Sequence, residues 1–170
     1  MNTLIISSSL SKNSRSLILC QKVAEKLRQK NVHCKQVDAR NISMNPFHNI
    51  VTDEMKRLAK QIEECDNLII GMGIHNYSIN DSLKVLIDTC FSGAKEKFFG
   101  VLCAAGGDRS YLATMHLTQI CMSQWRMIQL PRIVYATRLD FDGDIIKSKE
   151  LIQRIDEFSE EFFTLGTKLL

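Results

Sequence analysis

A doubly wound α/β sandwich, with one parallel sheet between two layers of helix, is the fold class this sequence predicts. Three features predict it: apolar runs of strand length with no polar alternation, amphipathic helical stretches between them, and a regular alternation of the two along 170 residues. The first run is residues 3–6. A Ser-rich connector, residues 7–16, leads into a helix whose Leu17, Cys20, Ala24 and Leu27 share one face. Residues 32–38 mix His33, Lys35 and Gln36 with apolar residues, as expected of an edge strand with one side in water. Met55, Leu58, Ala59 and Ile62 stripe a second helix, and residues 68–70 form the next buried strand. After a polar loop at 71–81, Leu83, Leu86, Ile87 and Cys90 stripe a third helix. Residues 98–102 are again continuously apolar, and Ala113, Leu117, Ile120 and Cys121 mark a fourth helix. Residues 133–135 supply the last strand. Leu151, Ile155, Phe158, Phe162, Leu165 and Leu169 then step by four and three through the last helix.

Five strands with intervening helices imply right-handed crossovers. With the second strand at an edge, the order is 2-1-3-4-5, and the topological switch falls between strands 1 and 3. Ligands of open α/β sheets sit at the carboxyl ends beside that switch, where the loops at 7–16 and 71–81 emerge.

Bulk properties narrow the functional classes. A content of 45% hydrophobic residues fits a single domain over residues 1–170. A net charge of +3 without long like-charge runs argues against nucleic acid or an acidic membrane as partner. The amino terminus has no cationic, apolar leader pattern and no stretch is long enough to span a bilayer, so a soluble cytoplasmic protein is expected. The six cysteines contain no CxxC, and His33, His48, His75 and His116 lack ligand spacing; no metal is expected, and the thiols read as small hydrophobes. The acidic stretch from Asp140 to Asp144 resembles the opening of a calcium loop, but Leu151 stands where the closing carboxylate belongs, so it reads as a turn.

The connector at 7–16 has neither GxxxxGK[ST] nor GxGxxG. Its hydroxyls and the N–H groups opening the first helix can hold a phosphate. The helix dipole adds about 0.3–1 kcal/mol and each hydrogen bond to a charged acceptor about 1.5–3 kcal/mol, so several donors are needed. The other reading is that Ser14 caps the helix and the remaining serines fill a turn. The loop after the third strand offers His, Asn, Tyr and Ser, a mixture suited to a flat conjugated ligand. Gly106 and Gly107, with Arg109 close by, follow the fourth strand and permit close backbone approach.

Taken together, these loops resemble those of the flavodoxin-like NAD(P)H-dependent FMN reductases, a family that includes quinone, azo-dye and chromate reductases. The phosphate motif GSLRxxSxN is similar to residues 8–16, SSLSKNSRS. The ring motif PxYNxSIPxxLKxxID is similar to residues 73–88, and the Gly-Gly turn to Gly106 and Gly107. The resemblance implies FMN as cofactor and NADPH or NADH as co-substrate. Ser9, Ser11, Ser14 and Ser16 would hold the phosphate, with weaker attraction from Lys12 and Arg15. Gly73, Ile74, His75, Asn76, Tyr77 and Ser78 would line the ribityl chain and ring, and Gly106, Gly107 and Arg109 its pyrimidine side. Ser8, Ser11, Ser16, Gly73 and His75 depart from the motif residues, and Ser11 removes the motif's cation.

No protein acid, base or nucleophile is implied, because flavin carries the redox chemistry. The implied activity is hydride transfer from nicotinamide and then reduction of a small-molecule acceptor (flavin, quinone, azo compound or metal ion) in a ping-pong sequence. A homo-oligomer, dimer or tetramer, is also implied, for which the stripes of the third and fifth helices offer surfaces. Tyr111 and Trp125 read as core or interface aromatics, and Lys84 with Asp88 as a surface pair. Two alternatives share the fold: a flavodoxin-type electron carrier without nicotinamide activity, whose usual acidity the +3 charge opposes, and a flavin-free interaction module.

Overall fold

The computed structural model describes residues 1–45 and 50–170, so His48 lies outside the described residues. In chain order the elements are β1 (Asn2–Ser7), α1 (Arg15–Gln29), β2 (His33–Asp38), α2 (Asp53–Glu64), β3 (Asn67–His75), β4 (Ser78–Ile79), α3 (Asp81–Cys90), β5 (Phe98–Ala104), α4 (Thr114–Trp125), β6 (Ile128–Gln129), β7 (Val134–Ala136), β8 (Phe141–Asp142), β9 (Ile145–Ile146) and α5 (Lys149–Lys168).

The parallel strands run β2-β1-β3-β5, and the fifth position is shared. β6 pairs with the start of β5 at Phe98 and Phe99, and β7 with its end from Leu102 to Ala104. The expected order therefore stands position by position, while the count is seven strands rather than five. One extra strand comes from the break at Pro131, which has no N–H to give the ladder. The other is β4, antiparallel to the end of β3 through Ile74 to Ile79 and His75 to Ser78.

Strand alternation divides the core into two faces. Leu4, Ile6, Leu68, Ile70, Phe99 and Val101 pack under α2, α3 and α4. Ile5, Ile69, Phe98, Leu102 and Val134 pack under α1 and α5. β2 keeps one side in water, with His33 and Lys35 exposed.

The helix faces follow the expected spacing with three exceptions. On α1, Leu19 and Val23 join Cys20, Ala24 and Leu27 in the core, and Leu17 is only half-buried. Ala113 lies in a one-turn helix before α4. On α5, Leu165 and Leu169 are exposed, and Gly166 instead meets the sheet, where an added Cβ would stand 3.1 Å from Asn67 Nδ2. The stripe of α3 is wholly buried, so it offers nothing to a second subunit. The acidic stretch forms the β8–β9 hairpin, turning at Gly143 with φ +57°. Among the described residues no helix is long and apolar enough to cross a membrane, and no cluster of His, Cys, Asp or Glu could hold a metal.

Close approach of α1 to β3 requires Gly71, since an added Cβ would lie 2.3 Å from Cys20 Sγ. Gly71→Ala is expected to cost about 1–3 kcal/mol by overpacking. In a Cys20→Ala background the cost should shrink, as urea unfolding of the four proteins would show.

All six cysteines are free and buried. Burial pushes the Cys20, Cys103 and Cys121 thiols up from 9.0 to about 12. A raised folded-state value means the neutral form is favoured, so this contribution to stability is complete below pH 9 and is lost as pH climbs towards 12. Urea midpoints should fall across that window, less steeply in Cys20→Ala.

Candidate active site

The carboxyl ends of β1, β3 and β5 carry three loops that enclose two adjoining chambers. The first chamber, about 180 Å³, is walled by Ser9, Ser11, Asn13, Ser14, Arg15, Ser16, Gly73, Ile74, His75, Ala104, Ala105 and Gly106. The second, about 400 Å³, is walled by Ile74, Asn76, Tyr77, Gly106, Gly107, Asp108, Arg109 and Ser110. Ile74 and Gly106 belong to both, which makes one groove with a narrow end and a broad end.

The narrow end is rich in donors. Ser14 caps α1, its Oγ accepting the Leu17 N–H at 3.1 Å, and its backbone carbonyl accepts from Ile18. Arg15 and Ser16, which wall the groove, thus carry N–H groups that the helix ladder cannot serve. Ser14 and Ser16 share one hydroxyl hydrogen at 3.1 Å, which leaves the other to donate outward. Arg15 Nε is buried without a partner. A multiply charged oxyanion satisfies all of these at once, so the end fits a phosphate ester. The capping and phosphate readings of Ser14 are thus compatible, because capping uses the hydroxyl only as acceptor.

A buried amide fixes this loop. Asn80, 1% exposed, stands where an Asn before a helix would cap it, yet its side chain makes no cap bond to α3. Its Oδ1 accepts from Gly73 N at 3.2 Å and Ser8 Oγ at 3.0 Å, and its Nδ2 donates to Ser8 O at 3.1 Å and Ser82 Oγ at 2.7 Å. Ser82 Oγ donates in turn to Ser8 O at 2.6 Å. At the tip of the loop, Arg40 pairs with Asp38 and donates from Nη1 to Lys12 O at 3.3 Å.

The broad end is shaped by two backbones. β3 and β4 form a hairpin whose central residues, Asn76 and Tyr77, have φ of +49° and +61°, as a two-residue primed turn requires. Opposite, Tyr135 OH donates to Gly107 O at 2.7 Å and accepts from Ser110 at 3.0 Å, tying the glycine loop to the end of β7. Burial raises the Tyr135 hydroxyl above its usual range, so it stays a donor. A Cβ on Gly106 or Gly107 would meet nothing within 4 Å, so the two glycines leave open space above them. A flat, polar-edged ring system fits this end.

Most of the expected site residues converge here. Lys12 and Ser78 stand outside both walls: Lys12 is exposed, and Ser78 Oγ meets His116 Nδ1 at 3.0 Å. His75 is on the rim, with Nδ1 3.5 Å from Asp81 Oδ1. Trp125 packs on Phe91 at 5.8 Å and Tyr111 lies edge-on to Tyr135 at 5.2 Å. Sequence reasoning missed Asn13, Asp108 and Ser110 in the walls and Ser8, Asn80, Ser82 and Tyr135 behind them. For Asn80 the signal was a polar residue at a helix start, which local capping already explains.

Residues 1–142 match the family model for NADPH-dependent FMN reductase. FMN reductase (NADPH) of Pseudomonas aeruginosa is 29% identical over 152 residues, 84% of this chain and 80% of that protein. An oxidoreductase from Corynebacterium diphtheriae superposes with a TM-score of 0.81 at 17% identity, covering 98% of this chain and 97% of that one. The flavoenzyme NAD(P)H:(acceptor) oxidoreductase FerB of Paracoccus denitrificans does so at 0.76 and 18% identity, covering 98% and 97%. At these identities the structural likenesses show the fold alone.

Removing the hub should be costly. Asn80→Ala leaves the half-buried Gly73 N–H without its side-chain acceptor, while Ser8 Oγ keeps the Gly71 carbonyl at 2.8 Å, and is expected to lower unfolding free energy by about 1–3 kcal/mol. Asn13→Ala, at an exposed wall position, should stay within about 0.5 kcal/mol. Urea denaturation of both variants checks this.

Proposed function

The chain belongs to the NADPH-dependent FMN reductase family and is an NAD(P)H-dependent flavin oxidoreductase; from that premise we propose how its groove works. FMN lies along it, phosphate in the narrow end and ring in the broad end, and a small oxidised acceptor (a flavin, quinone, azo compound or metal ion) follows the nicotinamide into the same open space. What supports this reading is the joining of the two chambers through Ile74 and Gly106, with the unpartnered Arg15 Nε at one end and open glycines at the other.

When bound, FMN supplies the acceptance of hydride from nicotinamide and the delivery of electrons to the acceptor. The chain's residues bind and orient. Ser9, Ser11, Ser14, Ser16 and the amides opening α1 grip the phosphate, with Arg15 facing it and Lys12 adding screened attraction from outside. Gly73, Ile74, His75, Asn76 and Tyr77 border the ribityl chain and ring, Ser78 supports their hairpin, and Gly106, Gly107 and Arg109 border the pyrimidine edge. Arg109 gives that edge positive potential. The open space over Gly106 and Gly107, taken in turn by nicotinamide and acceptor, is what supports a ping-pong sequence in this reading.

The two core faces of one sheet support a single domain over residues 1–170. Free buried thiols suit a reducing, cytoplasmic compartment. A homo-oligomer, dimer or tetramer, is supported by α4 and the turn before it, where Leu112, Met115 and Met122 are 75%, 51% and 51% exposed.

Purified protein should be yellow or take up added FMN, bleach with NADPH or NADH in the absence of oxygen, and give parallel double-reciprocal plots with a quinone. A yellow protein that ignores both nicotinamides would point to a carrier. One that takes up no FMN would overturn the reading. Ser11→Glu, at an exposed position of the same loop, should strongly lower FMN uptake through repulsion of the phosphate while circular dichroism stays unchanged.

A further inference from the structure

The phosphate motif carries an arginine where this chain has Ser11, so the cation facing the phosphate has to come from elsewhere. Arg15, four residues on, opens α1 and walls the narrow chamber. Its guanidinium carbon sits 5.8 Å over the ring centroid of Phe141, which is 6% exposed and begins the β8–β9 hairpin. A cation–π contact of this kind uses none of the guanidinium N–H donors for a hydrogen bond, so they remain free for another partner.

The hairpin's own acids do not take those donors. Asp140 Oδ2 accepts from Thr137 N at 2.7 Å and Thr137 Oγ1 at 3.0 Å, and the Asp140 carbonyl accepts from Lys147 N at 2.9 Å. Asp142 and Asp144 are exposed and, among the described residues, neither pairs with Arg15. By contrast Arg40, beside the same loop, is neutralised by Asp38. Among the described residues Arg15 thus has no carboxylate partner, and its Nε is buried and unpartnered. A guanidinium in that state lacks only an anion.

We propose that Arg15 is the residue by which this site selects a phosphorylated flavin over its dephosphorylated form, and that Phe141 is its positioning residue, holding the guanidinium plane against the chamber from a hairpin remote in sequence. The proposal rests on the groove being a flavin site. It adds a specificity determinant and a second element, β8–β9, to that site. Half-buried Arg15 is less exposed to salt than Lys12, so the selectivity persists at moderate ionic strength.

Titrating FMN and riboflavin by fluorescence quenching tests it. Arg15→Gln should weaken FMN about tenfold to a hundredfold, the range expected for a lost hydrogen bond to a charged group, and leave riboflavin within about twofold. Phe141→Leu should lower the FMN-to-riboflavin preference about three- to tenfold, and Phe141→Tyr should restore it. Because Phe141 acts through Arg15, adding Phe141→Leu to Arg15→Gln should change the preference no further. Inorganic phosphate should raise the melting temperature of the unaltered protein and not that of Arg15→Gln, a readout that stands even where riboflavin binds too weakly to titrate. Equal weakening of both flavins by Phe141→Leu would make its role structural and overturn the proposal, as would FMN binding indifferent to Arg15→Gln. If the unaltered protein binds neither flavin, the site reading fails first and the selectivity with it; if it binds both equally, the flavin site stands and only the selectivity falls.

Discussion

The buried amide of Asn80 is the interaction the active end of the molecule depends on. Parallel strands stop together at one edge of the sheet, and their ladder bonds say nothing about the loops beyond. Asn80 uses both donors and one acceptor oxygen to join Ser8 at the end of β1, Gly73 within β3 and Ser82 in α3. Unpartnered, each group would cost free energy in a site this dry, so the arrangement is all or nothing. With it in place, the serine loop and the ring-facing strand are one rigid unit, and Tyr135 does the same for the glycine loop. Pre-organised donors lose little entropy when a ligand arrives.

Much of this was legible in the chain because it is local. Strands β1 and β5 are continuous apolar runs buried on both faces, and the hydroxyl-rich connector lies next to the helix it opens. β3 was read too short, since Gly71 and Gly73 interrupt its apolar run while Met72 and Gly73 still pair with Cys103 and Ala104. The β3–β4 hairpin escaped because its turn is Asn-Tyr, without the glycine that usually marks φ above zero. β6 was missed, because only residues 133–135 read as the last strand and Ile128–Gln129, ahead of Pro131, is too short to leave an apolar run. Asn80 and Tyr135 were illegible for another reason: their partners stand 72 and 28 residues away in sequence, and no local pattern encodes such a meeting.

Charge is distributed with the same economy. Lys26 with Asp156 and Arg132 with Glu157 and Glu161 tie α5 to the rest of its layer. Such exposed pairs contribute little individually. Among the described residues Lys12, Arg15 and Arg109 have no carboxylate partner, and of these Arg15 opens α1, where the helix dipole is also positive.

The buried thiols have a consequence for durability. Reduced flavins that meet oxygen generate peroxide beside the protein, and peroxide attacks thiolates rather than thiols. Burial pushes the Cys20, Cys103 and Cys121 thiols up to about 12, which keeps them in the neutral form at neutrality. Enclosed, neutral sulfur is a poor target for such an oxidant.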